Sequence, residues 1–64
     1  MEILKASEVA RITTLSRPTI YRLIEQGRFP RPLQLSNQAV GWRKNEIEDW
    51  LETRPRAGGR VGLR

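Results

Sequence analysis

Residues 15–27 of this chain read LSRPTIYRLIEQG, and the stretch predicts a helix whose two ends are both marked. Ser16 is a strong N-cap, because its side-chain oxygen can accept a backbone N–H of the first turn, and Pro18 is tolerated there. Gly27 supplies a C-terminal stop. The apolar residues of the stretch fall at helical spacing and predict one buried face: Ile20, Leu23 and Ile24.

A shorter helix is predicted just before this stretch. Glu8 is placed to close a capping box if Lys5 is the N-cap, although lysine is a poor cap. Weak helix formers at residues 13–14 should end the helix. Two short helices separated by about three residues form the layout of a helix-turn-helix, whose second helix lies in the major groove of DNA.

After Gly27 the sequence pattern changes from helix to hairpin. Residues 29–32, Phe-Pro-Arg-Pro, are expected to be extended, because two prolines at this spacing forbid a helix. Residues 33–35 and 40–42 alternate as short strands, with turn residues at 36–38. A hairpin needs support, so we expect its large apolar residues to face the helices together: Leu33, Leu35, Val40 and Trp42.

A third helix is predicted from the stripe Ile47, Trp50 and Leu51. Two start registers compete, one capped at Arg43 and one capped at Asn45, and we favour a start at about residue 44. A proline at position 55 ends the helix. The prediction is a mainly α fold with a small two-stranded β-hairpin, a winged helix-turn-helix in the order helix-helix-strand-strand-helix.

Length and composition limit what this fold can do. We expect one domain over residues 1–54 and a disordered Arg/Gly-rich tail over residues 55–64. Without cysteine or histidine there is no disulfide, no thiolate or imidazole metal ligand and no credible catalytic pair, so we expect no enzyme, cofactor or metal. No apolar run suits a membrane span and no signal peptide is visible, which favours the bacterial cytoplasm, at the nucleoid.

The charge is segregated along the chain. Residues 1–43 carry seven basic and three acidic residues, residues 44–54 carry two and four, and residues 55–64 carry three and none, for a net charge of +5. Most of the basic residues are arginines, which bind phosphate and guanine in a bidentate way. Simple solubility is the alternative explanation for the excess charge.

A helical wheel gives the second helix a candidate DNA-binding face. Base contacts come mostly from the first turns of a recognition helix. Ser16 is placed to donate to a phosphate beside the helix N-terminus. The residues predicted to face the groove are Arg17, Thr19, Tyr21 and Arg22. The alternative is an ordinary solvated face of a three-helix domain.

The hairpin adds a second basic element that can act as a wing on phosphates or in the minor groove. Arg28 and Arg31 lie at its base, Asn37 and Gln38 near its tip, and Arg43 at its exit. The polar tip residues are also simply good turn formers, so a structural role stays open.

The third helix contributes differently, because its predicted solvent side is acidic: Glu46, Glu48, Asp49 and Glu52. A polyanion repels such a face, so we expect the helix to point away from DNA. It either docks a partner, such as a recombinase or a neighbouring copy of the chain, or is only solvated. The sequence favours an RNA-binding role less, because a single exposed tyrosine offers little aromatic surface for stacking the bases of a single strand.

Two blocks of the sequence are specific to one family: SRPTIYRLI running into EQGRFPRP, and AVGWRKNEIEDWL, with KASEVARIT before them. With them the chain resembles the AlpA family of prophage regulators over about residues 3 to 53. Lys5 departs from the family, where a threonine-like cap is more usual, and this weakens the prediction of where the first helix begins.

The resemblance implies a domain similar to the winged helix-turn-helix of MerR regulators and phage excisionases. It implies a transcription regulator of a mobile element, often acting on an integrase gene, or an excisionase-like directionality factor that bends DNA. The family's recognition positions would fall on residues 17, 19, 21 and 22, and its wing arginine on Arg43. The effector domain of MerR proteins has no counterpart here, so no small-molecule ligand is expected.

Overall fold

Three helices and three short strands make up the computed structural model, which describes residues 2–57. The elements are β1 (Ile3–Leu4), α1 (Ala6–Thr13), α2 (Arg17–Glu25), β2 (Leu33–Gln34), β3 (Val40–Arg43) and α3 (Lys44–Glu52). The predicted winged helix-turn-helix is confirmed, with β1 as an unpredicted addition. The tail predicted for residues 55–64 lies outside the described residues from position 58 onward.

The two predicted ends of α2 are both confirmed. The Ser16 hydroxyl accepts the backbone N–H of Thr19 at 3.3 Å. Gly27 adopts a left-handed φ of +70°. The N–H groups of Gly27 and Arg28 then bond to carbonyls of the last turn at 3.0 and 2.8 Å, which is the Schellman arrangement. Short-range cap chemistry therefore fixes the length of this helix.

The first helix begins with half of the predicted capping box. The backbone N–H of Lys5 donates to the Glu8 carboxylate at 2.8 Å, but a lysine side chain has no acceptor with which to cap in return. The helix ends at Thr13, and Thr14 follows with a left-handed φ of +60°. Three residues separate α1 from α2, as expected for a helix-turn-helix.

The strands form one antiparallel sheet in the order β1-β3-β2. β1 pairs Leu4 with Trp42, and β2 pairs Leu33 with Gly41. The sheet therefore ties the N-terminus of the chain to the hairpin. The predicted hairpin of β2 and β3 is confirmed, and β3 is the central strand of the three-stranded sheet.

The prediction that four apolar hairpin residues share one face is wrong. Directly paired residues lie on the same face of a sheet, so Leu33 shares a face with Gly41, while Trp42 lies on the other face. Leu35 follows Leu33 onto the outer face and is 51% exposed. The sequence pattern is compatible with two registers one residue apart, and such a shift exchanges the two faces of a strand.

Every helix and strand except β2 contributes one buried residue to the core, and the connector after α2 contributes another. These residues are Leu4, Val9, Ile20, Phe29, Trp42 and Ile47. α3 starts at Lys44 with Arg43 as its N-cap residue, so the favoured register is confirmed. Its first turn brings Ile47 beneath the sheet, where both Ile47 and Trp42 are fully buried. Leu23 and Ile24 of α2 are half-buried and pack against this core, as the stripe predicted.

Candidate nucleic-acid interface

A ridge of hydrogen-bonded side chains follows the exposed start of α2. The Ser16 hydroxyl donates to Thr19 Oγ1 at 2.9 Å, and Arg22 Nη2 donates to the same oxygen at a longer 3.4 Å. Residues three apart on a helix are surface neighbours, which is why the three side chains meet. The ridge joins three of the residues that the sequence placed in the groove-facing set or beside it.

The Thr19 hydroxyl is the centre of this ridge, and the Ser16–Thr19 pair keeps one hydroxyl hydrogen free. Each hydroxyl has one donor hydrogen, and the bond between the two uses one hydrogen in either direction. No other oxygen among residues 2–57 accepts from either hydroxyl. The remaining hydrogen can therefore bind an acceptor outside the protein.

Tyr21 lies where the recognition-helix candidate α2 meets the sheet. Its side chain is 42% exposed, and its ring centroid lies 6.4 Å from that of Trp42 in a tilted arrangement. No sequence pattern indicates this contact, because the two residues are far apart in the chain. One side of Tyr21 therefore packs near the hairpin and the remainder faces solvent, beside the exposed Arg17 in the first turn.

Arg28 lies on the connector between α2 and the hairpin. It is exposed, and its Nη1 donates to Gln26 Oε1 at 3.2 Å. Its carbonyl accepts the indole N–H of Trp50 at 2.9 Å. The sequence pattern singles out Arg28 but not its contacts with Gln26 and Trp50, since no local pattern signals a bond between residues 22 positions apart.

The tip of the hairpin, residues 36–38, is a polar turn. Ala39 O accepts the N–H groups of Leu35 at 2.9 Å and of Ser36 at 3.2 Å. The Ser36 hydroxyl accepts the N–H of Gln38 at 3.3 Å. Asn37 and Gln38 are both exposed at this tip, so their side chains are available for a ligand.

The other two predicted arginines lie in different surroundings. Arg43, at the end of β3, is half-buried and pairs across the sheet with Ile3. Arg31 lines a shallow groove whose other walls include the acidic Glu46 and Asp49. Arg31 therefore differs from the ridge residues in its electrostatic surroundings. The carboxylates that line its groove weaken its attraction for a polyanion.

The arginines of the predicted interface keep their charge available. Within residues 2–57 the ion pair with an N–O distance under 4.0 Å joins Lys44 and Glu2, at 3.3 Å. Arg17, Arg22 and Arg28 are exposed and have no carboxylate at such a distance among the described residues. No group of acidic residues in this part of the chain is arranged to hold a metal ion. The chemistry on offer is cationic and hydrogen-bonding.

This arrangement, two short helices followed by a hairpin and a packing helix, defines the class of winged helix-turn-helix proteins. A profile of the family described as "Prophage CP4-57 regulatory protein (AlpA)" matches residues 2–55. The chain belongs to this family of prophage regulatory proteins, which confirms the resemblance found in its sequence.

A curated relative agrees with this assignment. The chain is similar to the "Uncharacterized protein ORF88" of Enterobacteria phage P4, with 39% identity over 51 residues. The match covers 80% of this chain and 58% of the relative, so the chain spans little more than half of the length of that protein. Within residues 2–57 no helix has the length and apolar character that crossing a bilayer requires.

Proposed function

We propose that this chain is a sequence-specific double-stranded DNA-binding regulator of a phage or mobile element, acting in the bacterial cytoplasm as a transcription factor, for example on an integrase gene. The observation that carries the proposal is the ridge of Ser16, Thr19 and Arg22 on the exposed start of α2. Membership of a prophage regulatory family supports it.

The first two turns of α2 enter the major groove in this proposal. Arg17 and Arg22 have no carboxylate partner among residues 2–57, so their guanidinium groups suit guanine edges or phosphates. The free hydroxyl hydrogen of the Ser16–Thr19 pair suits an acceptor. Backbone N–H groups at the N-terminus of α2 attract a phosphate next to Ser16. Glu25 is exposed at the other end and repels the backbone, so the helix tilts out of the groove there.

The hairpin supplies the second contact. Asn37 and Gln38 at its tip reach phosphates or the neighbouring minor groove, while Arg28 and Arg43 contact the backbone on either side of it. Tyr21, which packs near Trp42, holds the junction between helix and wing. Arg31 contributes least, because it shares a groove with two acidic residues.

Binding to a labelled operator from the upstream region of the protein's own gene tests the proposal. At ~150 mM salt the operator should bind more tightly than random duplex of equal length. Arg22→Ala should remove about 1–3 kcal/mol of that preference, because one bidentate base contact is lost. Arg11→Ala, an exposed arginine of α1 outside the proposed interface, is the matched control. Equal affinity for both duplexes would leave only nonspecific electrostatics.

A protein-docking role for α3 is the second candidate. Pro30, Trp50 and Thr53 line a groove together with Arg31 and with two carboxylates, those of Glu46 and Asp49. A basic segment of a recombinase or integrase suits such a surface. Reversing Glu46 and Asp49, the two carboxylates of this groove, to lysine should abolish recruitment of that partner and leave DNA affinity intact or improved. Loss of DNA binding in the same variant would contradict this division of roles.

A further inference from the structure

Arg28 is exposed, yet it is held at three points. Its N–H donates to Leu23 O at 2.8 Å, and its carbonyl accepts the Trp50 indole N–H at 2.9 Å. Its guanidinium donates to Gln26 Oε1 at 3.2 Å. Free arginine side chains lose considerable rotamer freedom when they bind a ligand. Arg28 has given up part of that freedom before any ligand arrives.

The group that holds the Arg28 carbonyl is itself held in place. The Trp50 ring meets the Phe29 ring edge-on with centroids 4.5 Å apart, and the Arg54 guanidinium lies 4.4 Å from its centre. These two contacts fix the direction of the indole N–H. A second indole, that of Trp42, donates to the carbonyl of Pro30 at 2.9 Å. Two tryptophans therefore bind the middle of the connector from α2 to the hairpin, at carbonyls two residues apart.

The C-terminal end of α2 needs a cation if DNA passes close to it. The end of a helix carries partial negative charge, and Glu25 adds an exposed carboxylate there. A phosphate near this end is repelled by both. Arg28 is the first cation after this end of the helix, and it is exposed. With one N–H committed to Gln26, its guanidinium keeps four donors for phosphate oxygens.

We infer that Trp50 and Gln26 are positioning residues for DNA binding, which deliver Arg28 to a backbone phosphate between the recognition helix and the wing. The inference rests on the proposed DNA-binding function. An ordered guanidinium loses less freedom on binding, so its contact contributes more affinity than that of an unrestrained surface arginine. α3 thereby assists DNA binding although its own surface is acidic.

A double-mutant cycle on the full chain tests this inference. Arg28→Ala should weaken operator binding about tenfold and reduce the slope of log affinity against log salt by about 1, because one phosphate contact is lost. Trp50→Phe keeps a ring beside Phe29 but removes the N–H donor. It should weaken binding severalfold in the wild-type background and leave the affinity unchanged in the Arg28→Ala background. An equal loss in both backgrounds would show a merely structural role and overturn the inference.

Gln26→Ala gives a second reading that does not depend on the packing of Trp50. Gln26 is exposed, so its loss should leave the melting temperature unchanged and still weaken binding, again only when Arg28 is present. Asn45→Ala, an exposed amide on α3, is the matched control. An unchanged affinity in Gln26→Ala would contradict its part in the inference. A wild-type chain that prefers no duplex would overturn the proposed function itself, whereas specific binding with additive losses overturns the positioning role alone.

Discussion

Thr14 lies in the turn between α1 and α2 with a φ of +60°, a left-handed conformation that is rare for a β-branched residue. This conformation costs an L-residue about 1–2 kcal/mol, and glycine avoids most of that cost. Thr14→Gly should therefore stabilise the fold by about 0.5–1 kcal/mol, after the greater entropy of an unfolded glycine is subtracted. A thermal melt should show a rise of a few degrees. Thr14→Ala keeps a Cβ at this position and should show no such rise.

Gly41 lies in β3 under the outer side chains of the sheet. A Cβ added there would lie 2.5 Å from Ile3 Cγ2, 3.1 Å from Leu35 Cδ1 and 3.2 Å from the Leu4 carbonyl oxygen. Gly41→Ala should destabilise the fold by about 1–3 kcal/mol, as overpacking usually does. Ile3→Ala should restore part of the loss, because it removes the nearest atom. Additive losses in denaturant unfolding of the single and double variants would refute this contact.

Single residues also show where sequence reasoning reaches its limit. The exposure of Arg17, Arg22 and Arg28 follows from helical periodicity and from a glycine stop, both of which are local. The contacts of Tyr21 with Trp42 and of Arg28 with Trp50 join distant positions, and no spacing rule predicts them. Sequence therefore selected the candidate residues, whereas only the fold shows which side chains hold them in place.

At the scale of elements, the helices follow from local sequence patterns, whereas the strands depend on contacts between distant residues. The bounds of α2 are predictable because its caps act within one or two turns. α3 has no side-chain cap at its start, and its apolar stripe and the proline after it predict its position. β1 is two residues long and forms only because Leu4 meets Trp42 across the fold. The register that turns Leu35 outward is likewise set by strand pairing and not by local preference.

Ser16 has two roles in α2 that one substitution can separate. Its hydroxyl caps the helix, and the same helix end is the proposed phosphate site. Ser16→Ala should lower the free energy of unfolding by about 1 kcal/mol. Ser16→Asp should keep the cap, since aspartate is an equally good N-cap, and should still weaken DNA binding because its charge repels phosphate. Melting curves and operator titrations on the two variants check this pair of outcomes.

At the scale of the whole molecule, opposite charges lie on different elements. α2 and the connector carry exposed arginines, whereas the exposed residues of α3 include four acidic side chains: Glu46, Glu48, Asp49 and Glu52. In an electric field as strong as that of DNA, such a separation orients the domain before contact. Under the proposed function we expect the arginines of α2 to meet the duplex first and the acidic helix to face solvent or a partner.

The size of the domain leads to the last prediction, that two or more copies bind neighbouring sites on one DNA. One recognition helix with about two turns in the groove reads only a few base pairs, too few to select a site in a genome. The acidic α3 of one copy, which DNA repels, is free to approach the basic surface of the next. Footprinting over a concentration series should show adjacent sites that become protected together, with a steeper transition than single-site binding gives. Glu48→Lys combined with Asp49→Lys should flatten that transition while the affinity for an isolated site is kept. Protection of one short site, with no neighbouring protection at any concentration, would show that a single copy is sufficient.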